Sequence, residues 1–514
     1  MQMLSSRLCD KTSYFLQCCG VIMAGYITKY AFNYYYSPFF LLISFEIFIL
    51  LLQYKFTSTS CIHVSFLSFL FFVSIYTSNC YYAYYIAGNY IQAKIIRALW
   101  MVISLLFFGV FYFYACFIAK KITNNKISFL ILFSTLITVS EIIINSYVCK
   151  FLPLTLSQWL LNLHYCSQII SFCGQYGLTF LFLIFLSFIN TKKYYKIGIG
   201  IVAIMVIFGI IKIHYNSNNN DNNSKNVNVS LIQTDIKTDY NDSNFEDLCS
   251  YLSQTIEGIN INNDDINFIF TPEGCYLSDN FDNVKTIANM FQHKNVYFGF
   301  WSLQCVKNKY YSTYHIFNDN TLVKTCYKKH PFFLFEYTPQ WIIYIMNGIN
   351  FMFSRNISQN YDMKISPYSG ENIVTINKNL KFNVDICLDA IVKNNYIKEK
   401  CDFIVCVSSL RFCHEDTIPQ YINNCRVRAL EYGVPVLLIC NCGKSCIISP
   451  NGEILKLTNT NAKQVLNYNL TLHSSGMTFF QKYRYLLLWI TIVSLLLFFL
   501  ITYFYRKKQY NYTV

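Results

Sequence analysis

Phe382-Asn383-Val384-Asp385-Ile386-Cys387-Leu388-Asp389 is the stretch whose reading decides the fold of the polar half of this chain. It reads as a short apolar strand that ends on a cysteine, with a carboxylate two residues further on. A cysteine at a strand-to-turn junction exposes its sulfur at the end of a sheet, where a base and an oxyanion donor can reach it. Alone this says little, because most cysteines are small buried hydrophobes. Two earlier segments add to it. Ile269-Phe270-Thr271-Pro272-Glu273-Gly274 puts a glutamate just past an apolar strand, and Tyr327-Lys328-Lys329-His330 opens a run that closes with Phe335-Glu336-Tyr337-Thr338-Pro339. Glu273, Lys328 and Cys387, each at the end of a strand, are what a thiol acyl-transfer site needs.

Working outward, the composition divides the chain. It has 514 residues, too many for one compact core, and it is 54% hydrophobic and only 13% charged. The apolar residues concentrate in the first two fifths and near the C-terminus, the distribution of a multi-span membrane protein that carries a water-soluble domain. The net charge is +14, but the lysines are scattered or flank apolar spans. This argues against nucleic acid as a partner and for a topology signal.

Seven apolar segments, at about 12–30, 37–54, 62–86, 97–119, 127–148, 168–190 and 197–214, are each long enough to cross ~30 Å of hydrocarbon as a helix. They define a transmembrane domain at 1–214, and an eighth span follows at 485–505 with a tail at 506–514. Lys120, Lys121, Lys126, Lys192, Lys193, Lys196, Arg506, Lys507 and Lys508 all fall on one side of these spans. If that side is cytoplasmic, the polar domain at 227–484 lies outside. The segment 215–226 is an Asn/Ser/Asp-rich tether. The first span serves as the anchor, with no cleavable signal pattern.

Beyond the tether the pattern changes to short β-type runs, at Val227–Thr234, Ile266–Thr271, Val296–Trp301, Tyr310–Phe317, Val384–Cys387, Phe403–Ser408 and Val434–Cys440. Helical patterns lie at 243–258 and 415–432, and Pro450-Asn451-Gly452-Glu453 signals a two-residue hairpin. The expectation is an α/β sandwich. Phe332–Phe353 is apolar enough to read as a loop and helix that dip into a membrane interface, with a buried core helix as the other reading. The chain has 21 cysteines. Cys440, Cys442 and Cys446 lack the matching histidine or second pair of a zinc site, so no metal is expected.

The three site residues have assignable roles. The thiolate is the nucleophile, and a neighbouring carboxylate, Glu273, can take its proton and later return it. The Lys328 ammonium and the N–H of Leu388 can stabilise a tetrahedral oxyanion. A thioester then divides acyl transfer into two steps. His330 and His414 are not needed as bases, because the carboxylate serves.

These residues and their flanks resemble the nitrilase (carbon-nitrogen hydrolase) superfamily, and with the spans on both sides they are similar to the apolipoprotein N-acyltransferases of bacterial inner membranes. Thr271-Pro272-Glu273 stands where that family has Trp-Pro-Glu, and Lys328 through Pro339 follows its Lys…Gly-Glu-Tyr-Val-Pro run. Ile386-Cys387-Leu388-Asp389 matches Ile-Cys-Tyr-Glu. Arg426-Val427-Arg428-Ala429-Leu430-Glu431-Tyr432-Gly433-Val434-Pro435 and Asn441-Cys442-Gly443 match the downstream helix and strand. Gly174-Gln175-Tyr176-Gly177-Leu178-Thr179-Phe180 matches a membrane motif. The sequence departs from the pattern at Thr271, Leu388, Asp389, Leu410-Arg411-Phe412 and Ile144, near Glu141.

The resemblance implies a multi-span helical membrane domain with a nitrilase-like α-β-β-α sandwich on the periplasmic side of the inner membrane. It implies that Cys387 takes an acyl chain from a phospholipid and passes it to the α-amine of a diacylglyceryl-cysteine apolipoprotein, without a cofactor. Glu273 would be the proton acceptor and Lys328 the oxyanion stabiliser. Glu336, Leu388 and Asp389 would support the site, Glu336 through the lysine or the incoming amine. A monomer is the default. A membrane-tethered amidase and an inactive nitrilase-like membrane module are the alternatives.

Overall fold

The computed structural model describes residues 2–484 except 33–36, 54–59, 81–93, 124, 149–154, 192, 219–223, 237–243, 262–264, 294, 332–335, 337–364, 377–379, 393–394, 412, 414, 416 and 474–475. The apolar stretch Phe332–Phe353, apart from Glu336, the C-terminal span 485–505 and His414 lie outside the described residues. The chain divides into two compact units, one built on residues 1–217 and the other on residues 218–429 and 433–477.

The first unit is helical, with its main helices at Gln2–Ile27, Ser37–Gln53, Cys61–Cys80, Lys94–Ile122, Lys126–Ile143, Ile170–Ile189 and Tyr195–Asn218. Among the described residues, Cys61–Ser78, Lys126–Ser146, Ile170–Ile189 and Tyr195–Tyr215 are long and apolar enough to cross a membrane. In an apolar solvent helix association depends on close packing and on a few polar contacts, and both occur here. A side chain at Gly25 would meet Ser74 Cβ at 2.5 Å, so glycine lets the first and third of these helices approach closely. Phe48 stacks on Phe71 at 3.9 Å and Phe72 on Tyr112 at 3.7 Å. Ser44 Oγ donates to Ala24 O at 2.6 Å.

The second unit holds two six-stranded sheets. The first sheet comprises β1 (Lys225–Gln233), β2 (Ile266–Phe270), β3 (Val296–Val306), β4 (Lys309–Asn318), β5 (Thr321–Tyr327) and β12 (Gln464–Leu472). The second comprises β6 (Ile373–Ile376), β7 (Leu380–Ile386), β8 (Phe403–Ser409), β9 (Val436–Asn441), β10 (Cys446–Ile448) and β11 (Ile454–Leu457). The strand orders are β12-β1-β2-β3-β4-β5 and β11-β10-β9-β8-β7-β6. In the first sheet β1, β2 and β3 run parallel, and in the second β7, β8 and β9 do; the flanking pairs are antiparallel.

Strand periodicity explains the layering. Side chains alternate between faces along a strand, and the residues at every second position turn inward to one shared core. From the first sheet these include Val227, Val229, Leu231, Phe268 and Phe270; from the second, Phe382, Val384, Ile386, Val405 and Ile439. Phe382 stacks on Phe403 at 4.9 Å, and Phe268 meets both edge-on from the opposite sheet. The outer face of the first sheet carries Ile232, Ile269, Phe298 and Phe300, covered by Leu248 and Leu252 of the helix Phe245–Ile256 and by Val284 and Ile287 of the helix Phe281–Met290. The helix Thr417–Tyr432 belongs to the second sheet, where Arg426 Nε donates to Gly452 O. The result is the expected two-sheet sandwich with helices outside.

The differences from the sequence reading are local. Strands β5, β6, β10, β11 and β12 and the helix Phe281–Met290 are additional to those expected. β5 shows no inward–outward alternation because it is an exposed edge, with Thr321 to Lys324 all open to solvent. The hairpin at Pro450–Glu453 is present between β10 and β11, but its loop is longer than two residues. Ser449 N donates to Glu453 O, and Gly452, at φ 78°, donates its N–H back to Ser449 O.

Candidate active site

All three sequence-predicted groups follow the C-terminal ends of strands. Glu273 comes three residues after β2, Lys328 directly after β5 and Cys387 directly after β7. Their side chains converge. Lys328 Nζ donates to Glu273 Oε1 at 2.8 Å and to Glu336 Oε1 at 2.7 Å. The Cys387 thiol lies close enough to the Glu273 carboxyl group for the two to interact. The lysine side chain is 1% exposed and those of Glu273 and Glu336 are 7% and 24% exposed, so Glu336 is the member nearest to solvent.

Burial and mutual charge set the protonation of the group. Burial raises the Glu273 carboxyl group above its ordinary range, while the Lys328 ammonium opposes that shift. Burial also disfavours the ammonium, but the charges of Cys387, Glu273 and Glu336 outweigh it and hold Lys328 well above the usual lysine range. Burial and the Glu273 charge push the Cys387 thiol well above the free value, with Lys328 pulling the other way. The site therefore sets a protonated thiol and the Glu273 carboxyl group beside an ammonium. A proton can pass from sulfur to Glu273 without any large movement.

Cys387 is aimed by its backbone. Cys387 has φ 50°, in the left-handed region that is uncommon for a residue with a side chain. The short 3-10 turn Cys387–Ala390 that follows is held at almost every carbonyl. Tyr421 Oη donates to Cys387 O at 2.7 Å, and Asn395 Nδ2 donates to Asp389 O at 2.9 Å. The fully buried Arg428 donates to Asp389 O, Ala390 O and Val392 O. Leu388 is buried in this turn, and its N–H follows the nucleophile directly.

Asp389 is placed differently from the reacting groups. Its fully buried carboxylate accepts from Lys329 N at 2.9 Å, from His330 N at 2.8 Å and from His330 Nδ1 at 3.0 Å. It ties the nucleophile's turn to the segment that carries Lys328. Glu273 has a second support, since its Oε2 accepts from Ser409 N at 3.2 Å at the end of β8. Gly274, at φ 81°, lies against Ser409, where an added Cβ would come within 3.3 Å. Thr271, in place of the aromatic residue of the resembled pattern, donates its hydroxyl to Gly299 O at 3.0 Å and accepts at its own carbonyl from Tyr314 Oη at 2.8 Å. It thereby continues the contact of β2 with β3 up to the glutamate.

Beside this site Ile365 N donates to Glu336 O at 2.9 Å, and Ser366 N donates to Tyr310 O at 2.8 Å. Asn441 is a buried link between the sheets. Its Oδ1 accepts from Thr234 Oγ1 and Ile236 N, and its Nδ2 donates to Ile236 O and Ser409 Oγ. Sequence reasoning did not single out Ser409, Tyr421 or Asn395. Ser409 could have been found as the residue at the end of a strand parallel to the nucleophile's strand.

Residues 280–478 match the family model for carbon-nitrogen hydrolases, a span that contains Lys328, Glu336 and Cys387. No curated protein sequence matches the chain. Among solved structures it is similar to the glutamine-dependent NAD+ synthetase from Acinetobacter baumannii, at 13% identity and a TM-score of 0.35 over 49% of this chain and 48% of that one. The chain thus spans about half the length of that synthetase. It is also similar to a CN-hydrolase superfamily protein from Xanthomonas campestris with an arsenic adduct in the active site, at 12% identity and a TM-score of 0.35 over 51% of this chain and 96% of that one. A third is an amidase from Nesterenkonia sp. AN1 with the acetamide moiety of fluoroacetamide added covalently at its active-site cysteine, at 10% identity and a TM-score of 0.34 over 48% of this chain and 90% of that one.

Proposed function

Proceeding from a carbon-nitrogen hydrolase domain at residues 280–478, we propose that this protein is an apolipoprotein N-acyltransferase that uses Cys387 as its nucleophile. The observation that carries the reading is the convergence of Cys387, Glu273 and Lys328, in a chain that among its described residues also has four helices long and apolar enough to span a membrane. Acyl donors and acceptors that are themselves lipids need an enzyme held at the bilayer, and the apolar sequence Phe332–Phe353 begins four residues after the candidate lysine.

In the first half-reaction the thiol proton passes to Glu273 as Sγ attacks an ester carbonyl of a glycerophospholipid. Lys328 Nζ and the Leu388 N–H face the developing oxyanion. Collapse breaks the ester C–O bond, and the departing lysophospholipid alkoxide takes the proton from Glu273. In the second half-reaction the neutral α-amine of a diacylglyceryl-cysteine apolipoprotein attacks the thioester carbonyl and gives a proton to Glu273. Collapse breaks the C–S bond, the thiolate regains that proton, and an amide remains. The catalytic domain would lie on the periplasmic side of a bacterial inner membrane and would act as a monomer without cofactor.

The test is acylation of a diacylated lipopeptide in membrane extracts that contain wild-type protein, Cys387→Ala or Cys387→Ser. The wild type transfers the acyl chain and accumulates a hydroxylamine-sensitive acyl group on Cys387 when the acceptor is withheld; both variants lose transfer. Transfer that persists in both variants overturns the mechanism. Hydrolysis of small amides by wild type with no acylation of the lipopeptide would mark a membrane-tethered amidase instead.

A further inference from the structure

We infer that Asn372, a residue outside the reacting group, is a positioning residue that fixes Lys328 relative to Cys387 by joining the two sheets between them. Asn372 is 1% exposed and directly precedes β6, the edge strand of the second sheet. Its side chain reaches to β5, the edge strand of the first sheet. There it pairs with both main-chain groups of Tyr327, the residue immediately before Lys328. Asn372 Oδ1 accepts from Tyr327 N at 2.9 Å, and Asn372 Nδ2 donates to Tyr327 O at 2.7 Å. Its own carbonyl reaches the second sheet, where Asn372 O accepts from Val384 N at 3.0 Å, three residues before Cys387, and it also accepts from Cys326 Sγ of β5 at 3.8 Å.

One buried amide thus completes a backbone-like bridge from the strand of the ammonium to the strand of the sulfur. The side chain suits this task because a primary amide presents a donor and an acceptor with the spacing of a peptide group. Few alternatives exist at this place. Lys328 is otherwise tied to its own sheet by one main-chain bond, Lys328 N to Ser312 O at 2.9 Å. The Asp389 contacts act one and two residues further along, at Lys329 and His330. Loss of the Asn372 amide leaves Tyr327, half-buried at the sheet edge, with two main-chain groups that lose their protein partners and are free to shift toward new ones. The displacement is delivered to Lys328.

The inference concerns the thiol–ammonium geometry and holds whatever acyl donor the site takes, so it stands apart from the lipid reading. The test needs no substrate. The alkylation rate of Cys387 by iodoacetamide is followed by peptide mass spectrometry as a function of pH in the membrane-embedded full chain, wild type against Asn372→Ala, with thermal stability measured in parallel. Val374→Ala, a fully buried core truncation two residues away, is the control for stability loss alone. Because the ammonium lowers the cost of forming the thiolate, moving it away shifts the Cys387 alkylation profile of Asn372→Ala upward by roughly one pH unit, while Val374→Ala keeps the wild-type profile. Asn372→Ser, which can still make one of the two bonds, shifts it in the same direction by less. An unchanged profile in a folded Asn372→Ser or Asn372→Ala protein, or an equal shift in Val374→Ala, overturns the inference.

Discussion

In the first sheet the parallel strands β1, β2 and β3 sit between antiparallel neighbours, and in the second β7, β8 and β9 do the same. The first sheet delivers the charged groups, Glu273 and Lys328; the second delivers the sulfur and the N–H of Ser409. What separates them is where the unusual backbone falls. Beside Glu273 the positive φ belongs to Gly274, which adopts it without steric cost, whereas in the second sheet it belongs to Cys387 itself. Long side chains such as lysine and glutamate can reach a common point from relaxed strand ends. A cysteine side chain is too short for that, so the main chain must turn to aim it, and a strained residue persists only where its surroundings over-determine it. The bonds to Cys387 O, Asp389 O, Ala390 O and Val392 O are that surrounding.

Substitutions at the reacting groups break the comparison most completely. Under the proposed mechanism Cys387→Ala should lower acyl transfer by roughly a thousandfold or more, because no covalent intermediate can form. Lys328→Met and Glu273→Gln, on the opposite sheet, should each lower it by about a hundredfold to ten-thousandfold, measured as single-turnover acylation of Cys387. The charges should also be visible in the pH profile of that step. Glu273 must be ionised to accept the thiol proton, and its raised value means that the rate falls with acidification at a higher pH than an ordinary carboxyl group would give. On the alkaline side Lys328 is held well above the usual lysine range, so the ammonium should not limit the rate below that range.

Effects on stability sharpen the same contrast. Arg428→Met removes the donors to three carbonyls of the nucleophile's turn and should cost about 3 kcal/mol, read by thermal or denaturant unfolding. Gly274→Ala should cost about 1 kcal/mol or more, since the left-handed backbone and the 3.3 Å approach to Ser409 both resist a methyl group. Its activity should fall with it, because Ser409 N is the second partner of Glu273. The smallest change is expected for His330→Ala. It deletes one of three bonds to Asp389 and leaves both main-chain donors in place, so stability should change by about 1 kcal/mol and activity by only a few-fold.

The part of this architecture that could be read from the sequence is the part written in local pattern. Short apolar β-type runs located β1, β2, β3, β4, β7, β8 and β9, and the residues at the ends of β2 and β7 placed Glu273 and Cys387, while Lys328 was placed by the run from Tyr327 to Pro339 rather than by a located strand. The links between those ends were not legible. Asn372 finds Tyr327 across 45 positions, and Asn441 finds Ile236 across 205. A buried asparagine carries no periodic signature, and the groups that Asn372 meets on Tyr327 and Asn441 meets on Ile236 are main-chain groups that any residue would offer. β5 was missed for the opposite reason, because an exposed edge strand has no buried face to impose alternation.

The bond from Ile365 N to Glu336 O fastens together two residues that lie 29 positions apart in the sequence. A segment whose two feet are fastened together can be lengthened, shortened or exchanged at small entropic cost, since loop closure varies only with the logarithm of length. Related chains could therefore diverge in the residues between them, and in whatever those recognise, while the carboxyl group of Glu336 stays on Lys328 and the chemistry remains the same.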